Sequence, residues 1–186
     1  TSVLNIEKPI TIVVKNLAEP VDVVDYMLDI TGKNLITGMH FDGNYSDADS
    51  LHERLANEFG TYPAFYSADF LTGSTVPQRQ NMINEVIRQW NNGAIIQLML
   101  HVAPPTMTVE EEKNGCAWDD RTSGNQKGVQ CYLTAEQWKD LLTDGTALNT
   151  NWKLRLDEYA YYLQQLKDAG ATVLFRPFHE MDGDWF

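Results

Sequence analysis

The stretch Ala94-Ile95-Ile96-Gln97-Leu98-Met99-Leu100-His101 is apolar almost throughout, and Pro104-Pro105 closes it. A run this short and this continuously apolar suits a strand buried on both faces, the habit of parallel sheets covered by helices. Just upstream, Pro77 to Asn91 places Met82, Ile83, Val86, Ile87 and Trp90 on one helical stripe. It opens on a proline suited to a first turn and stops before Gly93. Tyr62 to Leu71 reads as the strand before that helix, and Leu35 to Phe41 as another, followed by a helix from about Asp49 to Phe59 that Gly60 ends. Further back lie a short strand, Ile10 to Val14, and a helix, Val21 to Ile30, stopped by Gly32. Downstream, Thr134-Ala135-Glu136-Gln137 has the capping-box pattern of a helix start. A longer helix is expected from Trp152 to Ala169, then a fourth strand from Ala171 to Phe178. Strand–helix alternation of this kind means α/β, with right-handed crossovers between parallel strands. An open doubly wound sheet and a closed (β/α)8 barrel both satisfy it. No G-x-G-x-x-G follows a strand and no P-loop is present, which weighs against a nucleotide-binding sheet.

The chain has 186 residues, 43% hydrophobic and 11% aromatic. That is one large domain or part of one, with enough apolar material for a core and too much for disorder. A net charge of -12 at pH 7 argues against nucleic acid, whose phosphates need clustered Lys and Arg, and against an anionic membrane surface. A neutral or cationic ligand fits better. No apolar run reaches the ~18 residues of a membrane span. Thr1-Ser2-Val3-Leu4-Asn5 has neither the basic nor the apolar region of a signal peptide, so the sequence reads as a mature form or an internal piece.

A polar excursion from Thr106 to about Leu133 holds both cysteines, Cys116 and Cys131. A disulfide between them is expected; closing a loop of about 15 residues would stabilise by ~3 kcal/mol and suit an oxidising compartment. Two buried free thiols are the alternative, and two cysteines alone make no zinc site. Asp42, Asn44, Ser46 and Glu53 fall at calcium-loop positions, but Asp47 stands where that loop needs glycine, so no metal is assigned. Asn44-Tyr45-Ser46 is a glycosylation pattern, relevant only in a eukaryotic secretory host.

The chemistry collects at the carboxyl ends of the strands: His40 and Asp42, Asp69, His101, then His179 and Glu180. That edge is where α/β folds bind ligands. The last stretch is the densest, Val173-Leu174-Phe175-Arg176-Pro177-Phe178-His179-Glu180-Met181-Asp182-Gly183-Asp184-Trp185-Phe186. An apolar strand delivers Arg176, His179 and Glu180 together, and Trp185 follows on a glycine-containing loop. A glutamate beside Arg and His can serve as acid or base, and an exposed Trp suits stacking on a sugar face. The competing structural reading is an Arg176–Glu180 ion pair with Trp185 in the core.

The stretch Arg176 to Phe186 resembles the fourth-strand signature of glycoside hydrolase family 26, best known for endo-β-1,4-mannanases. Asp25-Tyr26-Met27-Leu28-Asp29-Ile30-Thr31-Gly32-Lys33, Ile36-Thr37-Gly38-Met39-His40, Tyr62-Pro63-Ala64-Phe65 leading to Asp69, and Leu98-Met99-Leu100-His101 are similar to its earlier segments. The likeness covers residues 20–186, after a lead-in of residues 1–19. It implies a (β/α)8 TIM barrel and a secreted, retaining hydrolase of β-mannan, monomeric at full length and able to carry a carbohydrate-binding module. No cofactor is implied. Glu180 takes the place of the acid/base, with substrate contacts from His101, His179 and Trp185. Arg176 would orient the carboxyl groups; His40 and Asp69 are further assignments. The family's nucleophile lies on the seventh strand, so the chain is expected to be the N-terminal half of the barrel, inactive alone. Asp182 and Asp184 share the loop of Glu180 and cannot easily face it across a sugar. Mixed-linkage β-glucan and β-xylan are alternative substrates, and a non-catalytic carbohydrate-binding protein is the alternative from another class.

Overall fold

Among the described residues, the apolar runs form the elements their periodicity calls for, with some bounds shifted. The computed structural model describes residues 22–41, 50–70, 76–118 and 127–180. The expected strand at 10–14, the Asp42 loop with Asn44, and Trp185 lie outside the described residues. In chain order the elements are α1 (Val23–Ile30), β1 (Gly38–His40), α2 (Ser50–Phe59), β2 (Phe65–Asp69), α3 (Val76–Asn91), β3 (Ile95–Met99), α4 (Val109–Glu112), α5 (Ala135–Leu142), α6 (Ala147–Asp168) and β4 (Val173–Arg176). None of these helices is long and apolar enough to cross a membrane.

The four strands are all parallel and neighbour one another in sequence order, β1-β2-β3-β4. Parallel partners point to the same side of a sheet, so the register sorts the side chains into two faces. One face carries Tyr66, Ala68, Ile96 and Leu98, continued by Phe70 and Leu100, all buried. Met82, Ile83 and Val86 of α3 and Tyr159, Tyr162 and Leu166 of α6 pack on it as one core. Phe70 is its hub, with the rings of Tyr159 and Phe175 edge-on at 5.4 and 6.3 Å. The other face is mixed, with Phe65, Ile95, Met99 and Leu174 set among its polar residues. His40 pairs with Ser67 and Ser67 with Gln97; one layer on, Asp69 pairs with Met99 and Met99 with Arg176.

Two glycines have visible work. A Cβ on Gly38 would sit 2.6 Å from Cβ of Phe65, so only glycine lets β1 approach β2 that closely. Gly170 follows α6 at φ +72, with open space around it, so its backbone conformation is what requires glycine. The Thr134 capping box forms as read: its side chain accepts from Gln137 N, and Gln137 bonds back to the Thr134 N–H. Helix α6 starts five residues earlier than its periodicity suggests, because Thr146 caps it by accepting from Asn149 N at 3.2 Å. Asn151, on the added turn, donates to the carbonyls of Pro105 and Met107 at 2.7 and 2.6 Å.

The excursion departs most from expectation. Cys116 and Cys131 are thiols, not a disulfide. Other bonds hold this segment. Cys116 donates to the Lys127 carbonyl at 3.3 Å, and Val129 N and Gln130 N donate to Ala117 O and Trp118 O at 2.9 and 3.0 Å. Burial pushes the Cys116 thiol up to about 12, which leaves it unreactive. A second capping box, Thr108 with Glu111, starts α4. It delivers Glu112 into the interior, where Arg79 Nη2 donates to it at 2.9 Å, Arg155 Nε at 2.5 Å, and the Tyr159 hydroxyl as a third partner. The excursion is thus tied to α3 and α6 by buried, charge-assisted hydrogen bonds.

Candidate active site

Strands β2, β3 and β4 end side by side, and their exits carry the polar residues. Leu100 N donates to Arg176 O at 3.1 Å, which extends the β3–β4 ladder by one step. His179 N then donates to Leu100 O at 2.9 Å and fastens the β4 exit against the β3 exit. Between these bonds the chain turns sharply. Phe178 and Glu180 have φ of 54 and 59, the left-handed region that costs non-glycine residues of order 1–3 kcal/mol. The Trp152 ring backs Phe178 at 5.6 Å between centroids. This strain is what presents His179 and Glu180 to His101 rather than letting β4 run on.

His101 is at the centre. Its Nδ1 hydrogen-bonds the Asp69 carboxylate, and its backbone N–H donates to the other Asp69 oxygen at 3.2 Å. Asp69 closes β2 and is only 2% exposed. The bond fixes the ring so that Nε2 faces Glu180, at 3.8 Å from Oε2. His179 approaches the same carboxylate, Nε2 to Oε1 at 3.5 Å. The two imidazoles meet edge to face at 4.5 Å between centroids.

Charge divides the two rings. For His101, burial works to lower the pKa, but the hydrogen bond to Asp69 and the charges of Asp69 and Glu180 outweigh it, and the net shift is upward. For His179, burial leads, the His101 and Arg176 charges add to it, and the pKa falls. Two adjacent imidazoles cannot both be cations cheaply, so the ring bound to Asp69 is the one that keeps its proton to higher pH. Glu180, with 40% of its side chain exposed, therefore has a ring with a raised pKa on one side, a ring with a lowered pKa on the other, and an opening to solvent.

The structure thus brings together Asp69, His101, His179 and Glu180. It sets His40 apart, with Nδ1 donating to Ser67 Oγ at 2.9 Å and Ser67 donating in turn to Gln97. That chain lies one layer before Asp69 along β2. Arg176 stands exposed at the end of β4 and acts on the described residues through its charge. Trp118 is a residue the sequence reading missed. It lies on the excursion, 48% exposed, with its ring edge-on to His101 at 5.1 Å. No local pattern marks it; only the anchoring of the excursion carries it to the strand ends. An exposed indole beside an acid and two imidazoles has the amphipathic surface that sugar rings stack on.

The comparisons with known proteins agree with this architecture. The family model described as "Glycosyl hydrolase family 26" matches residues 15–186. A mannan endo-1,4-beta-mannosidase of Bacillus subtilis is 34% identical over 155 residues, 77% of this chain and 38% of that protein. One from Thermothelomyces thermophilus is 27% identical over 171 residues, 87% of this chain and 31% of its own length. Among solved structures, GH26A from a Muricauda species superposes with a TM-score of 0.69 at 28% identity, over 88% of this chain and 49% of that one. A beta-mannanase from a symbiotic protist of the termite Reticulitermes speratus, complexed with gluco-manno-oligosaccharide, gives 0.65 at 26% identity, over 87% and 48%. The chain spans about half the length of these solved structures and under half of the curated relatives. Its four parallel strands with covering helices are consecutive units of the (β/α)8 barrel that these structures share. On a match that runs from residue 15 to residue 186, the chain belongs to glycosyl hydrolase family 26.

Proposed function

We propose that this chain belongs to a secreted endo-acting hydrolase of β-1,4-mannan in which Glu180 is the general acid/base. The observation that carries the reading is the carboxylate of Glu180 standing within 4 Å of two imidazoles at a strand end, open to solvent. As the glycosidic bond breaks, Glu180 gives its proton to the departing oxygen. His101, protonated through Asp69, steadies the carboxylate that forms. Glu180 then takes a proton from the water that completes hydrolysis. Trp118 offers one wall for a sugar ring. Retention of configuration is part of the proposal, and it needs a second carboxylate about 5–5.5 Å from the first. Asp69 is committed to His101, so we assign the nucleophile to residues outside those described. The names of the relatives support mannan over other β-glycans.

The test uses the longest natural open reading frame that carries this sequence. The unmodified protein should release oligosaccharides from mannan faster than from mixed-linkage β-glucan or xylan. Glu180→Gln should abolish most mannan turnover and spare aryl glycosides whose leaving group needs little protonation. Equal losses on both substrates would assign Glu180 a structural role and refute the reading.

A further inference from the structure

The geometry points to a binding site for a borderline-soft divalent cation, zinc or a similar transition metal, made by His101, His179 and Glu180. One nitrogen from each ring and a carboxylate oxygen all lie within 4.8 Å of one another. The separations already given, 3.5 Å from His179 to one Glu180 oxygen and 3.8 Å from His101 to the other, put both rings at the same carboxylate. Ligands about 2.0–2.1 Å from a tetrahedral zinc stand roughly 3.4 Å apart. Side-chain movements of about an ångström would close atoms within 4.8 Å of one another onto one ion.

Three further features favour a metal over a plain ion-pair cluster. First, Asp69 holds Nδ1 of His101, the carboxylate–histidine arrangement that orients a metal-binding ring and raises the basicity of its other nitrogen. Second, the donor set is two nitrogens and one oxygen, which selects zinc, cobalt, nickel or copper over calcium and magnesium. Third, Glu180 is partly exposed while the two rings are nearly buried, so an ion could enter from solvent and keep water as its fourth ligand. A metal bound there would occupy the carboxylate oxygen that must carry the proton. The cation is therefore a competitor of turnover and not a cofactor. That consequence rests on the reading of Glu180 as the acid/base; the binding does not.

The test measures binding directly on this chain. Zinc titrated into it by calorimetry should saturate at one ion with a Kd below about 0.1 mM, and calcium should give no heat. Cobalt(II) in place of zinc should give the visible absorption of a four-coordinate ion without a thiolate charge-transfer band. Glu180→Gln and His179→Ala, each with an unchanged circular dichroism spectrum, should weaken zinc by at least about tenfold. Asp69→Asn, which keeps all three ligands, should weaken it by about 10- to 100-fold. Cys116→Ser with Cys131→Ser should change nothing. No saturable zinc binding, binding that survives both ligand variants, or a thiolate band lost with the cysteines would each overturn the proposal. In the longer natural protein, zinc at its binding concentration should suppress mannan hydrolysis. Binding with the full signature but undiminished hydrolysis would uphold the metal site and count against Glu180 as proton donor.

Discussion

Glu112 and Glu180 each sit between two basic side chains, and they have opposite characters. Glu112 is 1% exposed and is held by the guanidiniums of Arg79 and Arg155 and by the Tyr159 hydroxyl. A guanidinium keeps its proton at any ordinary pH, so this cluster has a fixed charge pattern. Burial, and then the charge of Glu112, push the Tyr159 hydroxyl well above its usual range, so it too stays protonated and donating. Glu180 instead has imidazoles as neighbours and an opening to solvent. Imidazoles exchange protons near neutrality. The same carboxylate chemistry therefore gives a rivet in one place and, on the proposed reading, a proton-handling centre in the other. The difference lies in the partner's pKa and in access to water.

The largest effect should separate the two. Glu180→Gln should lower mannan turnover of the longer natural protein by about 10²- to 10⁴-fold, the usual range for a general acid, while its urea unfolding midpoint stays near that of the unmodified protein. A matching fall in stability would make Glu180 a second rivet and break the comparison.

Glu112→Gln should do the reverse. Arg155 would lose its buried counter-charge and Arg79 the nearer of its two carboxylates, Glu158 remaining at 3.9 Å, at a cost of about 3–5 kcal/mol in urea unfolding. Trp118 should also become mobile, because the Glu112 cluster anchors the excursion that carries it. An unfolding free energy within about 1 kcal/mol of the unmodified protein, on the scale of exposed ion pairs, would show that the cluster contributes little.

The pH behaviour sharpens the contrast. His101 has a raised pKa, so its protonated form stabilises the fold. That contribution is fully present below its ordinary value of 6.5 and fades as pH rises through the raised one. His179, with a lowered pKa, contributes in the opposite sense: its share is present above 6.5 and is lost as pH falls through the lowered value. Proton NMR of the two rings should find His101 titrating at the higher pH. Asp69→Asn should bring His101 down. The reverse order would remove the division of labour assigned to the rings.

The smallest effect provides a baseline away from both clusters. Thr134→Ala deletes the cap of α5 and should cost about 1 kcal/mol, with no change in turnover or in the histidine titrations. A change in either would mean that α5 is coupled to the strand ends.

Much of this could be read from residues alone, because the signals are local. The apolar run at Ala94 to His101, the stripe from Met82 to Trp90, the glycine stops at Gly60 and Gly170 and the cap at Thr134 each depend on neighbours a few positions away. Backbone preference and hydrophobic periodicity act over that range. The gathering of His101, His179 and Glu180 at strand ends was legible for the same reason, since a parallel strand always delivers its last residues to one edge. The α4 turn and the first turn of α6 escaped because Val109 and Ala147-Leu148 are followed by polar residues, too short an apolar signal to mark a helix stripe.

Sequence by itself determined the order of the described strands and of the longer helices, the α/β class and the glutamate that stands just past the fourth strand. Tertiary structure alone decided that Asp69 belongs to His101 and not to Glu180, that His40 joins Ser67 and Gln97, and that Trp118 stands beside His101. It also decided that Glu112, on a polar segment, is among the most deeply buried charges. Each of these contacts joins residues from different elements, through strand register and the docking of helices on the sheet. The protonation of a ring follows from burial and from which charges come within a few ångströms of it, and those distances exist only once the chain has folded.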